Sequence, residues 1–286
     1  MKKYELALET EKKSFGIKMY RVRALKSFRD VCKGDLGGYI EKEINLSQDG
    51  NCWVYGNAQV LDSARVLDSA QVRGTVLIYG NAHVRGNAQV YGNALIYGDA
   101  EVSNSAHVRG NAQVYGSAHV CVDARVSGNA QVLDIARVLD SAHVYGDARV
   151  RDNAQVSNNA QVYGDARVSG NARVCGYAQV YSNAQVRGNA RVFGNARVYG
   201  DAEVSNSAEV SKFHEVKGVT NLKWPFTSLP KGVQVGCYFY SMKEWQEKHL
   251  EIGKSNGLSP EMSGAYYKLM EDLENIRRLE LKEEEK

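Results

Sequence analysis

Hydrophobic and polar positions alternate with a period of six residues over more than half of the chain. Val or Ile occupies position 54 and every sixth position through 210, which gives 27 anchors without an insertion or deletion. Ala stands two residues before each anchor after the first, and Val76 is the single exception. Because Ala-x-Val-x alternates with period two, each unit predicts a short strand with Ala and Val on one side.

Turn-forming pairs such as Gly56-Asn57 and Asp62-Ser63 follow each predicted strand. These residue types supply positive φ and local side-chain hydrogen bonds, so each six-residue unit ends in a bend. Three such units close a triangle. Residues 51–222 therefore predict an all-β solenoid of about nine triangular coils of 18 residues, with Val and Ala inside.

The two ends lack this period and predict caps, since a solenoid exposes unpaired strand edges at both ends. Residues 1–50 predict an N-terminal β cap, with a strand over 20–25 and a glycine-rich lead-in turn over 33–38. Residues 223–286 predict a small α/β cap. Val216 and Leu222 keep the six-residue spacing and predict that one further coil fades into this cap.

The C-terminal cap is expected to contain one strand and two helices. Residues 232–240 predict the strand, and Ser241 followed by Glu244 is a capping box for a helix through about residue 252. Ser259-Pro260 predicts the start of the second helix. The apolar residues expected to share one face of this helix are Met262, Tyr266, Leu269, Leu273 and Ile276.

The spacing of Val90 and Ala94, an aliphatic residue followed four positions later by a small one, resembles that of hexapeptide-repeat proteins with a left-handed parallel β-helix. The left-handed sense is implied by this resemblance. The segment YRVRALKSFRDVCKGDLGGYIEKEINLSQDGNCWVYGNAQV (20–60) resembles the start of YdcK-like repeat proteins of bacteria and phages, and VQVGCYFYSMKEW (233–245) is similar to their C-terminal ending. Members of that group are commonly labelled transferases or polymer-forming proteins.

Composition narrows the function classes. Residues 54–210 carry 13 Arg and 13 Asp or Glu but no Lys, so the repeats are neutral and give no strong signal for nucleic acid. The N-terminal residues are charged, without an apolar run suited to a signal peptide or membrane helix, and we expect a cytoplasmic protein without a membrane partner. The five Cys residues form no C-x-x-C pair, and neither a metal site nor a resident cofactor is predicted.

Residues 18 apart lie above one another, so outward side chains can be assigned to faces from the sequence. One face is expected to stack four tyrosines as a candidate platform for aromatic, sugar or nucleotide rings: Tyr145, Tyr163, Tyr181 and Tyr199. The alternative is that Tyr, a good β-former, simply stacks on itself.

A second face is expected to carry two patches. Its early coils form an apolar band, a candidate interface with this chain's own helix, another protein or further copies, most simply as a trimer: Leu61, Leu77, Tyr79, Leu95, Tyr97 and Tyr115. Its later coils form an arginine row suited to phosphate or carboxylate: Arg149, Arg151, Arg167 and Arg187. Ion pairing with the corner acids Asp147, Asp152 and Asp165 is the alternative for the arginine row.

Three functions remain open from the sequence. The first is a non-catalytic scaffold that presents the Tyr and Arg rows, and we assign no catalytic residue. The second is hexapeptide-type acyl or acetyl transfer from acetyl-coenzyme A, in which one of four outward histidines would act as the base: His83, His107, His119 or His143. The third is a phage-type protein that sequesters an anionic small molecule such as a nucleotide.

Overall fold

A computed structural model gives the arrangement of residues 2–14, 16–210, 215–219, 226–229, 232–235 and 238–284, which are the residues that the structure describes. The repeats wind into a parallel β-solenoid with three faces and an 18-residue coil, as the sequence predicts. Ten parallel strands lie on each of two faces and nine on the third, so the solenoid has about ten turns, one more than predicted. Its left-handed sense of winding stays a prediction from the family resemblance.

Each face is one sheet, and its strands pair in register with those 18 residues away. Face A contains the parallel strands Leu36–Ile40, Gln59–Val60, Leu77–Ile78, Leu95–Ile96, Gln113–Val114, Gln131–Val132, Arg149–Val150, Arg167–Val168, Gln185–Val186 and Glu203–Val204. Face B contains Trp53–Val54, Gln71–Gly74, Gln89–Gly92, His107–Val108, Arg125–Val126, His143–Val144, Gln161–Val162, Gln179–Val180, Arg197–Tyr199 and Glu215–Val219. Face C contains Arg65–Val66, His83–Val84, Glu101–Val102, His119–Val120, Arg137–Val138, Gln155–Val156, Arg173–Val174, Arg191–Val192 and Glu209–Val210.

The solenoid interior is the predicted column of Val and Ala. Every inward Ala, Val and Ile from Ala58 to Val210 is fully buried, including Val76 at the Ala position. Burying one Val contributes about 1.5 kcal/mol or more. Each side chain is buried only by the coils above and below it, so no coil is stable by itself.

The corners require a left-handed backbone, which explains the Gly, Asp and Asn residues found there. Gly110 has φ +73°, and a Cβ at this position would lie 3.0 Å from the carbonyl oxygen of Gly128 in the next coil. Asp and Asn corners add a side-chain hydrogen bond, as where Asp140 Oδ2 accepts from the Asn158 N–H at 3.0 Å. Val122 also has φ +66°, a strained conformation for a β-branched residue.

The N-terminal cap covers the first coil with an antiparallel hairpin. Its strands are Tyr4–Ser14 and Ile17–Ala24, and the second pairs with Leu36–Ile40, which begins face A. The predicted strand at 20–25 is confirmed within Ile17–Ala24, whereas the sequence analysis missed the first hairpin strand. A single 3-10 turn, Glu43–Asn45, leads from face A toward the coils.

A buried lysine closes this end of the solenoid. The Lys3 side chain is inaccessible to solvent, and its Nζ donates to the carbonyl oxygens of Cys52 at 3.0 Å and Asp49 at 3.2 Å. It also lies 3.2 Å from Cys52 Sγ. Burial lowers the pKa of Lys3 and raises that of the Cys52 thiol. Lys3 thus satisfies carbonyl groups that would otherwise end the solenoid unpaired.

Asp30 links the N-terminal cap to face B. The Tyr55 hydroxyl donates to Asp30 Oδ1 at 2.7 Å, and Arg73 Nη2 lies 2.7 Å from Asp30 Oδ2. The Arg73 guanidinium also stacks over the Tyr55 ring at 4.0 Å. The Tyr55 hydrogen bond, with help from Arg73, lowers the pKa of Asp30, while burial and the same hydrogen bond raise the pKa of Tyr55 to about 12.

The C-terminal cap contains strands Phe226–Leu229, Gly232–Val235 and Tyr238–Tyr240, helix α1 (Met242–Ser255) and helix α2 (Pro260–Glu284). Strand Glu215–Val219 continues face B, as Val216 predicts, whereas Leu222 lies outside the described residues. The capping box is confirmed, because Ser241 Oγ accepts from the Glu244 N–H at 3.3 Å and Glu244 Oε2 accepts from the Ser241 N–H at 2.9 Å.

Two details of this cap differ from the sequence prediction. The single strand over 232–240 is an antiparallel pair, Gly232–Val235 with Tyr238–Tyr240, which places Val233 opposite Tyr240 beneath the Trp245 indole. The predicted apolar face of α2 is also wrong, because Met262 and Leu269 are 48% and 45% exposed.

The buried face of α2 instead contains Ser263, Tyr266, Met270 and Glu274. The small Ser263 allows α2 to approach Gly253 of α1, and this contact turns Met262 and Leu269 toward solvent. The side chains of Leu273 and Ile276 lie outside the described residues. A buried Gln234 docks the cap on the last coil, accepting from the Ser205 N–H at 2.8 Å and donating to Ser205 Oγ at 2.7 Å.

Replacing Val122 by Asn is expected to stabilise the protein by about 1 kcal/mol. Asn tolerates positive φ, and its side-chain oxygen can accept from the next corner N–H, as Asn158 Oδ1 does from Gly176 at 3.4 Å. The reverse change, Asn104→Val, tests the same corner one coil away, where φ is +58°, and is expected to lower the stability. Guanidinium unfolding of both variants measures the two effects, and a destabilised Val122→Asn variant would contradict the strain argument.

The Asp30 junction is expected to make stability depend on pH in the acidic range. The folded pKa of Asp30 is below its usual 3.8, so its contribution is present above that value and is lost as the pH falls through the folded pKa. Asp30→Asn should lower the thermal midpoint at pH 7 and leave a smaller difference from wild type at pH 2.5. An Asp35→Asn variant, in the same cap but away from Tyr55 and Arg73, serves as the control.

Candidate functional site

The outward positions beside each Val are the places where the coils differ, and they form the candidate site. They hold Tyr, Arg, Gln, His, Leu, Ser and Glu residues on straight columns, since register is kept from coil to coil. No loop leaves the coils anywhere within residues 54–210, all of which the structure describes. Any ligand of this region therefore meets open faces built from side chains.

Face B carries a continuous tyrosine ladder in its later coils. Ring centroids lie 4.8 Å apart between Tyr145 and Tyr163, 5.0 Å between Tyr163 and Tyr181, and 5.3 Å between Tyr181 and Tyr199. Successive ring planes differ by no more than 9°. Burial raises the pKa of Tyr145 and Tyr163. The rings cover one another, so the ladder offers its edges and hydroxyls rather than flat ring surfaces.

Face A carries a shorter ladder within the apolar band. Tyr97 stacks on Tyr79 at 4.9 Å and on Tyr115 at 4.7 Å, with planes within 5°. Leu77 and Leu95 pair in register directly beside these rings and are half-buried. Leu61 differs from the prediction, because it is only 3% exposed and is closed to a partner. The N-terminal cap begins face A at Leu36–Ile40, next to the strand that precedes Leu61, which explains its burial.

The arginine row of face A is split by its ion pairs. Arg149 and Arg167 are register partners, so two guanidinium side chains leave adjacent strands. Arg187 instead hydrogen-bonds through Nε to Glu203 Oε1 at 2.9 Å. Arg151 Nε lies 3.9 Å from Asp152 Oδ2. The sequence analysis overlooked Glu203 because it occupies the strand position one coil beyond Gln185.

The four outward histidines form two groups. His83 and His119 flank Glu101 on face C, and His107 and His143 flank Arg125 on face B. Glu101 is engaged by Arg85, whose Nη2 lies 2.7 Å from Oε1. Among the described residues, none of the four imidazoles hydrogen-bonds a carboxylate. An acid-oriented base, as acyl transfer would use, is thus not assembled within this chain's described part.

Columns of asparagine run along the corners, a feature that the sequence analysis did not single out. Asn93 Nδ2 donates to Asn111 Oδ1 at 3.0 Å, Asn111 to Asn129 at 3.0 Å, and Asn129 to Asp147 at 2.8 Å. A second column joins Asn153, Asn171 and Asn189. The 18-residue recurrence of Asn was the available signal. The ladder holds Asp147 at the corner, away from the arginine row.

Metal and membrane features are few in the described part of the chain. No group of three or more His, Cys, Asp or Glu side chains there is arranged to hold a metal ion. The cysteines described, Cys32, Cys52, Cys121 and Cys175, are free thiols, and Cys237 lies outside the described residues. Neither α1 nor the described length of α2 is apolar enough to span a bilayer.

Comparison with known proteins agrees with this architecture. A family model described as the YdcK β-solenoid repeat matches residues 88–104, 160–176, 166–182 and 184–200. A stretch of 62 residues is 36% identical to the protein of Escherichia coli (strain K12) named "Uncharacterized acetyltransferase YdcK". This match covers 19% of the present chain and 19% of the length of that relative.

The central ring of the longer ladder tests whether stacking stabilises the coils. Tyr163→Ala removes two stacked contacts and is expected to cost about 1–2 kcal/mol of unfolding free energy. Tyr163→Phe keeps both contacts and should stay within about 0.5 kcal/mol of wild type. Denaturant unfolding distinguishes these results. Equal losses in both variants would show that the hydroxyl, rather than the stack, carries the effect.

Proposed function

Because this chain is a YdcK-like β-solenoid protein, we propose that it functions as a non-catalytic interaction scaffold. The observation that carries the proposal is the uninterrupted frame of residues 54–210, in which each coil contributes 18 residues and no loop walls a substrate pocket. Sequence variation is confined to outward positions. A rigid rod with variable outward columns suits recognition over an extended area.

Face A supports the contact with a partner. Its apolar band, without Leu61, consists of Leu77, Leu95 and the stacked Tyr79, Tyr97 and Tyr115. Apolar and tyrosine-rich patches of this kind are typical of protein interfaces. The neighbouring Arg149 and Arg167 would meet carboxylates at the rim of the contact. We propose other copies of the chain, most simply three, as the first partner of the apolar band.

Acetyl transfer is the second candidate, and the name of the E. coli relative supports it. On this chain the base would be His119, which lies one coil from the carboxylate of Glu101 on face C. In that case the substrate would be acetyl-coenzyme A. Turnover of acetyl-coenzyme A that is lost in His119→Ala would replace the scaffold proposal, whereas absence of turnover with several amine and hydroxyl acceptors supports it. Sequestration of an anion by the arginine row stays a prediction.

The oligomeric state tests the scaffold proposal through face A. Light scattering is expected to give the wild-type protein about three times the chain mass of 31.6 kDa. Leu95→Lys places a charge in the apolar band and should reduce the mass to one chain, because an unpaired buried charge opposes the contact. Gln155→Lys on face C, matched in charge, should leave the mass unchanged.

Circular dichroism checks that both variants keep the fold. A wild-type mass of one chain would overturn the trimer, as would a Leu95→Lys variant that stays assembled. In the monomeric case, the scaffold proposal would require a different partner for the band.

A further inference from the structure

The middle coils of face B carry a basic cluster that lies apart from both the arginine row and the apolar band. Arg125 is the register partner of His107 on one side and of His143 on the other. Arg109 follows the His107–Val108 strand in the neighbouring outward column, next to Ser127 of the Arg125 coil. Four basic side chains therefore leave three consecutive coils of one face.

Neither arginine of this cluster is neutralised by a described residue. Arg109 and Arg125 are exposed and form no ion pair within the described part of the chain, in contrast to Arg85, Arg187 and Arg191, which pair with glutamates. Asp123 is the acid near His107, and it lies beyond ion-pair distance of both guanidinium groups. The cluster is thus a local positive site on a neutral solenoid.

Two tyrosines bound the cluster along the outward column. That column runs Tyr91, Arg109, Ser127 and Tyr145, one residue from each coil, so the two rings are three coils or about 14 Å apart. The Tyr91 ring meets His107 edge-on at 6.2 Å. Tyr145 stacks on Tyr163 with one ring surface, and its other surface faces the coil of the small Ser127. This end of the ladder is where a flat ring surface is left open.

The corner that leads into Arg125 is also the strained one. Val122 adopts φ +66° three residues before Arg125, where the corresponding corners of adjacent coils have Asn104 and Asp140. Backbone strain of this kind is often found next to functional sites. It marks this coil among those of the solenoid as the one with a non-standard corner.

We propose that this cluster, formed by His107, Arg109, Arg125 and His143 between Tyr91 and Tyr145, binds a phosphate-bearing small molecule. The guanidinium groups of Arg109 and Arg125 donate charge-assisted hydrogen bonds to the phosphate oxygens. The Ser127 hydroxyl supplies a further donor. The open surface of Tyr145 can stack on an aromatic group attached to the phosphate, as in a nucleoside monophosphate.

The two histidines make binding depend on pH. Burial, Arg125 and Arg109 lower the pKa of both His107 and His143, so both rings are neutral at pH 8 in the free protein. Tyr91 and Asp123 also face His107, and Asp123 raises its pKa in part. The other side of His143 faces Gln161, which is uncharged. A bound anion favours the protonated rings, so binding takes up protons and tightens as the pH falls from 8 to 6.

Isothermal titration calorimetry of the full chain tests the site with three probes: inorganic sulfate, inorganic phosphate and adenosine monophosphate. Sulfate keeps its charge between pH 6 and 8, so its pH dependence reports the protein alone. Arg125→Gln is expected to weaken the binding of all three about tenfold or more. The matched control is Arg173→Gln on face C, where Arg173 is the register partner of Arg191 without flanking histidines, and it should stay within twofold of wild type.

The histidine variants separate charge from pH sensitivity. The double variant His107→Gln/His143→Gln should retain binding at pH 8 and lose the tightening at pH 6. Tighter binding of adenosine monophosphate than of phosphate, lost in Tyr145→Ala, would identify an aromatic phosphomonoester as the ligand, and equal binding would identify free phosphate. No binding at pH 6, or equal weakening by Arg125→Gln and Arg173→Gln, would overturn the proposal.

Discussion

The structure depends on the register between coils 18 residues apart. Each strand residue donates its N–H to the coil above, as Gln113 does to Ala130 at 2.9 Å, and the same register places each Val on the Val of the next coil. Backbone pairing and side-chain burial therefore stabilise the same arrangement. One inserted residue would turn the Val column outward, which is why 27 anchors follow without interruption.

The same register determines what the outer surface can do. Identical residues in one column lie about 4.8 Å apart, so tyrosines stack on one another and asparagines join amide to amide. Such columns use their own binding groups internally. Recognition is thus expected where a column changes residue type, as at Ser127 beside Tyr145 or at Leu95 beside Tyr97, because side chains there keep free surfaces.

The sequence predicts the solenoid well and its surface chemistry in part. The coil length, the Val and Ala core and the capping box of α1 follow from spacing alone, since each repeats or obeys a local rule. The pairing of Arg187 with Glu203, the burial of Leu61 and the buried face of α2 do not, because they depend on contacts between distant segments. The triad His107, Arg125 and His143 was visible at 18-residue spacing, although the histidines had been considered only as bases.

Native-state hydrogen exchange, followed by mass spectrometry, tests the central claim that residues 54–210 form one uninterrupted rigid frame. The account predicts uniform slow exchange of the strand amides in the middle coils, with exchange by a common cooperative opening. Faster exchange is expected only toward the ends, where a coil has one neighbour. A rapidly exchanging coil in the interior, for example between 107 and 162, would contradict the rigid frame and point to a mobile, loop-like site instead.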